Sequence, residues 1–201
     1  MPLRSLVRQL QNTALTGELL ERSRRSERLL MRGAGRATRA LIASAIARRD
    51  ESPLLVVVPT LEEAGRWTAL LDLMGWDNTS LYPTSEGSPY EPFDPTSEII
   101  WGQLQVLSDL LAEDGSPNRA IVATERCLQP HLPPPEALAA QCRTLSRGDE
   151  LDLEDLGEQL AHLGYERVSS IDQEGTWSRR GDIVDIFPVS SELPVRLEFF
   201  G

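Results

Sequence analysis

The residues best placed to do chemistry are Gly33-Ala-Gly-Arg-Ala-Thr38, a glycine-bearing turn between a short apolar run and an alanine-rich helical stretch. A turn of that kind at a helix N-terminus offers free backbone N–H groups to a phosphate. A working phosphate loop also needs a lysine for the terminal phosphates and an adjacent Ser or Thr for magnesium, in the spacing G-x-x-x-x-G-K-[ST]. Here the second spaced glycine is missing and the cation is Arg36, a bulkier planar group. The expectation is a degenerate loop, Gly33, Gly35, Arg36 and Thr38, that is structural and holds no nucleotide.

The rest of the chemistry-bearing inventory is thin. No lysine occurs anywhere in the 201 residues, so all 20 cationic side chains are arginine. That excludes Schiff-base chemistry and lysine general bases. Glu62, Glu63, Glu86, Glu91 and Asp94 are not paired in sequence with a nucleophile or a metal-ligand cluster, and read as a solvated acidic face. His131 and His162 are isolated. Cys127 and Cys142 are too few for a disulfide scaffold or a zinc site and read as reduced packing residues. The expectation is therefore no catalytic residue, no metal and no cofactor in this segment.

These side chains must be positioned by an ordinary globular chain. It is 40% hydrophobic and 25% charged, and long enough to bury roughly 70% of its unfolded surface. No run of about 18 apolar residues and no signal-peptide core is present, which predicts a cytoplasmic protein without membrane partners. A formal charge of -11 argues against a generic duplex-DNA clamp.

Residues 1–27 predict one or two amphipathic helices broken near Thr16 and Gly17. Arg28–Arg32, the glycine turn, a helix over Ala37–Arg49 and a fully buried strand at Leu54–Val58 read as a strand-loop-helix-strand unit. Thr60 caps a helix over Leu61–Met74, followed by a strand at Ser80–Tyr82. A proline-rich loop spans Pro83–Pro95, a helix runs from Ser97 to about Ala112 with Ile99, Ile100, Leu104, Leu107 and Leu111 inward, and a strand covers Ala120–Ala123. The alternation predicts an α/β domain with a parallel sheet and flanking helices over residues 1–129. The prolines at 130–135 mark a boundary. Beyond it, a helix over Asp152–Leu163 and extended runs at Arg167–Ile171, Thr176–Arg180, Ile183–Phe187 and Pro194–Phe200 predict a smaller α+β domain, residues 130–201, with antiparallel strands. The chain stops inside a strand-like run, which suggests a fragment with missing C-terminal strands and marginal stability when isolated.

Three blocks carry a family resemblance. Tyr82-Pro-Thr-Ser-Glu86, Pro89-Tyr-Glu-Pro92 and Ser97-Glu-Ile-Ile100 form the first. The second is Leu163-Gly-Tyr-Glu-Arg-Val168 with Gly175-Thr-Trp-Ser-Arg-Arg-Gly-Asp-Ile-Val-Asp-Ile-Phe-Pro188, and the third is Pro194-Val-Arg-Leu-Glu-Phe-Phe-Gly201. Together they resemble UvrB and the bacterial transcription-repair coupling factors over about residues 28–201. The coupling factors are the better match, because UvrB keeps an intact phosphate loop. The resemblance implies an N-terminal UvrB-like module that binds UvrA by mimicking UvrB, in a parent protein that couples RNA polymerase stalled at DNA damage to excision repair. It further implies that the parent's ATP- and magnesium-dependent translocase motor, which acts on duplex DNA, lies outside this chain. Carried over by motif, the UvrA-binding residues are Arg167 and Arg180, with Arg196 and Phe187 as further candidates; a third UvrB arginine falls on Ser178. Two rival readings stand beside this: a UvrB-type nucleotide-binding repair protein, and a direct DNA-binding module using the nine arginines between Arg22 and Arg49.

Overall fold

The computed structural model describes residues 3–25, 28–84, 97–111, 118–128, 132, 134–189, 191 and 193–200. They divide into two compact units, one of residues 1–84 with 114–131, the other of residues 85–113 with 132–201. Most of the proline-rich loop at 83–95, His131 and the carboxylates Glu86, Glu91 and Asp94 lie outside the described residues.

In the first unit, α1 (Leu3–Gln11) and α2 (Ala14–Arg24) are separate helices. The break falls at Asn12–Thr13, not at Thr16–Gly17. Thr13 caps α2 by accepting from the Thr16 N–H, and buried Thr16 donates its hydroxyl to the Leu10 carbonyl at 2.7 Å. The hydroxyls thus satisfy the backbone groups freed at the break.

Residues 28–35 are irregular, so the expected strand at Arg28–Arg32 does not form. Its apolar run finds no sheet to join, and Leu30 is 71% exposed. Helix α3 (Arg36–Arg49) starts after Gly35, and β1 (Leu54–Val58), α4 (Leu61–Leu73), β2 (Asn78–Leu81) and β3 (Arg119–Thr124) follow. Thr60 caps α4 by accepting from the Glu63 N–H at 3.2 Å.

The three strands form a parallel sheet in the order β1-β3-β2. Val56, Val58, Ala120 and Val122 pack with Ala40 of α3 and with Ala64 and Leu71 of α4. β1 is not fully buried as its apolar run suggested: alternate residues Leu55 and Val57 are 56% and 45% exposed, on the face opposite the one that Val56 and Val58 turn toward α3 and α4.

In the second unit, α5 (Ser97–Leu111) has Val106 buried but Ile100 39% exposed. Expected beside the parallel sheet, it clusters instead with α6 (Pro135–Ala139), α7 (Leu153–His162) and a four-stranded sheet. That sheet has the order β4 (Glu166–Arg167), β5 (Thr176–Arg180), β6 (Ile183–Phe187) and β7 (Val195–Glu198). It is mixed and not wholly antiparallel, since β4 runs parallel to β5 and is only two residues long. Asp152 caps α7, accepting from the Glu154 and Asp155 N–H groups at 2.7 and 3.1 Å. Leu156 and Leu160 of α7 pack on Trp177, Val184 and Ile186. Among the described residues, no helix is long and apolar enough to cross a membrane.

Candidate protein-interaction site

The glycine turn lies directly before α3. Gly33 adopts φ +73°, a conformation that side chains rarely take. Gly35 sits at the N-cap of α3 without a side-chain cap, and Thr38 is an exposed residue within the helix, not a loop residue. Arg36 does not point its charge into an open loop. Its guanidinium is forked onto Glu63 of α4, with Nε donating to Oε2 at 3.0 Å and Nη2 to Oε1. Arg66 donates to the same carboxylate at 3.4 Å, and these donors hold Glu63 below the ordinary carboxylate range, the Arg36 hydrogen bond being the largest cause.

In the second unit the motif blocks resolve into turns and register. Gly164, with φ +87°, ends α7, and the Tyr165 N–H returns to the Leu160 carbonyl at 2.9 Å. Gly181, with φ +64°, is the first residue of the two-residue turn joining β5 to β6, and Asp182 does not share the positive φ, as a type II′ hairpin requires. That turn pairs Arg180 with Ile183, Ser178 with Asp185, and Thr176 with Phe187, while β7 sets Arg196 opposite Asp185.

Residues paired across neighbouring strands share a face. Arg180, Phe187 and Arg196 therefore lie on one face of the sheet, together with Asp185. Arg167 pairs with Trp177 and so belongs to the opposite, α7-covered face. It stands exposed at the β4 edge, its guanidinium carbon 5.2 Å from the centroid of the Trp177 ring. The structure thus brings together three of the four candidate residues and sets the fourth at the sheet edge.

Their freedom differs. Arg180 is exposed and donates to the Ser169 carbonyl at 3.0 Å, which ties the loop before β5 down onto its strand. Arg196 is held bidentately by Asp185, with Nε–Oδ1 at 2.6 Å and Nη2–Oδ2 at 3.0 Å. Asp185 is held below the usual carboxylate range by the Arg196 hydrogen bond first, then by the charges of Arg196 and Arg180. Asp185 was not singled out in sequence. Once Gly181-Asp182 is read as a two-residue loop, however, counting back and forward from it gives the pairing of Ser178 with Asp185. Trp177 is 6% exposed and is core, and Phe187 is half-buried at the end of β6. Of the two cysteines, Cys127 is buried beside Thr124, whereas Cys142 is exposed and so is not the packing residue expected. Among the described residues, no group of three His, Cys, Asp or Glu side chains is gathered as a metal site would require.

Residues 144–201, which include α7 and the whole four-stranded sheet, match the model of the UvrB interaction domain. The transcription-repair-coupling factor of Mycobacterium tuberculosis is 34% identical over 169 residues, covering 82% of this chain and 14% of that protein. The Haemophilus influenzae protein of the same name is 30% identical over 161 residues, covering 80% of this chain and 14% of the relative. The UvrABC system protein B of Bifidobacterium longum is 29% identical over 196 residues, covering 92% of this chain and 28% of that protein. The chain thus spans about one seventh of the length of the coupling factors it matches.

Proposed function

This chain is a relative of the bacterial transcription-repair-coupling factors and of UvrB, with a UvrB interaction domain at residues 144–201, and on that premise we propose that it is the N-terminal, UvrB-like module through which a coupling factor recruits UvrA. The observation that carries this reading is the match of an interaction domain to the residues that build the arginine-bearing sheet. Arg180, presented on a strand face, and Arg167, at the sheet edge, are two of the sheet's guanidiniums that no described carboxylate pairs with. Such forks suit carboxylates on a partner surface, and arginine is over-represented among residues that dominate interfaces. In this reading the coupling of stalled RNA polymerase to repair, translocation on duplex DNA, and the binding of ATP and magnesium belong to parts of the parent protein beyond these residues. Saturable binding of UvrA to the chain in a calorimetric titration supports the proposal; a folded chain that gives no heat with UvrA contradicts it.

The segment itself is not an ATPase in this reading. The cation at the loop is already neutralised by Glu63, and no lysine is present to replace it. A ligand at 100 times its Kd would stabilise the fold by about 2.7 kcal/mol. Millimolar Mg-ATP is therefore expected to leave the melting temperature unchanged, and a rise of several degrees would reinstate the nucleotide-binding alternative.

A further inference from the structure

The formal charge of -11 conceals a segregation. Residues 1–49 carry eleven arginines against three glutamates, formally +8, which leaves -19 for the remainder. Those first 49 residues are the layer α1, α2, connector and α3, whose helices pack on one another.

Several of the layer's arginines are used internally. Arg24 pairs with Asp50 at 2.7 Å, Arg36 with Glu63, and Arg49 donates to the Gln11 and Thr13 carbonyls at 3.1 and 2.9 Å. Arg48 lies 5.1 Å from the centroid of the Trp76 ring. Arg25, Arg28, Arg32 and Arg39, by contrast, are exposed and form no ion pair with any described residue.

Their placement follows from two anchors. The Arg24–Asp50 bond pins the end of α2 at the C-terminal end of α3, and Gly35 is the N-cap at the other end of the same helix. The described residues 25 and 28–35 therefore lie between the two ends of α3, which are about 21 Å apart for its fourteen residues at 1.5 Å each. Arg25, Arg28 and Arg32 are among them, and Arg39 stands in the first turn of α3. The four arginines thus form a row of positions spread along α3, not a cluster around a pocket.

We propose that this row docks the phosphate backbone of duplex DNA without reading sequence. A line of separated guanidiniums suits a linear polyanion with regularly spaced phosphates, and each fork can hold one phosphate bidentately. The remaining residues, formally -19, disfavour phosphate contact outside this layer, so the overall negative charge and local DNA contact are compatible. Leu30 is the exposed apolar side chain along the strip, and one such residue offers a membrane too little area to bury. The proposal concerns the first unit and stands independently of UvrA recruitment by the second.

The test is fluorescence anisotropy of the 201-residue chain with a random-sequence duplex between 50 and 200 mM salt. The comparison is between R28Q/R32Q/R39Q and R126Q/R143Q/R147Q, which remove equal charge from exposed positions, with circular dichroism to check that both remain folded. The parent chain is expected to bind in the range of about 1 to 100 µM. The strip variant should lose tenfold or more at 50 mM salt, and the slope of log affinity against log salt should shrink by about 2 to 3. The control variant should stay within about twofold of the parent chain. Absence of DNA binding at 50 mM salt, equal losses in the two variants, or binding to phosphatidylserine vesicles with none to DNA would each overturn the proposal.

Discussion

Two arginine forks show how a side chain's type leaves its task open until its neighbours are known. Arg196 lies in the motif that resembles UvrB, yet its guanidinium is closed onto Asp185, so much of what its removal would cost is an intramolecular pair. Asp185 offers a direct check. Its carboxylate is held below the ordinary range, so the stability it contributes is fully present above the unfolded value near pH 3.9 and is lost as pH falls through the lower folded value. Because the Arg196 side chain is 60% exposed, solvent screening keeps that contribution small. Asp185→Asn should therefore lower the urea midpoint slightly at pH 7, and the difference from the parent chain should shrink below pH 4. A difference that grows in acid would contradict the pairing.

Elements were more legible than their partnerships. β1 matches its apolar run to the residue, α4 starts after its Thr60 cap, and α7 starts after Asp152, because period and capping chemistry are local properties. What sequence could not supply was set by tertiary contact. Arg28–Arg32 has a strand's composition but no strand beside it, β4 pairs with β5 over only two residues, and α5 clusters with the second unit. The α7-on-sheet packing yields its own prediction. A Cβ at Gly157 would lie 2.9 Å from Cη2 of buried Trp177. Overpacking of this kind costs roughly 1 to 3 kcal/mol, against a helix-propensity gain of roughly 0.5 to 1 kcal/mol from replacing a mid-helix glycine by alanine. Gly157→Ala should therefore destabilise the second unit, seen as a lower unfolding midpoint by tryptophan fluorescence. An unchanged or higher midpoint would show that the ring has room to move.

Taken whole, the chain carries a basic helical layer on its first unit and an arginine-bearing sheet on its second, and the two proposals assign one task to each. The candidate interaction site was legible as residue types within motifs, while the division of Arg167 from Arg180, Phe187 and Arg196 between two sheet faces needed the strand register. The most direct measurement is a calorimetric titration of UvrA with the chain and with its Arg167→Ala/Arg180→Ala variant. Loss of even one central arginine from such an interface costs about 2 to 4 kcal/mol, so the variant should bind at least thirtyfold more weakly while keeping its circular dichroism spectrum. A folded variant with the affinity of the parent chain would contradict the assignment of UvrA recruitment to this sheet.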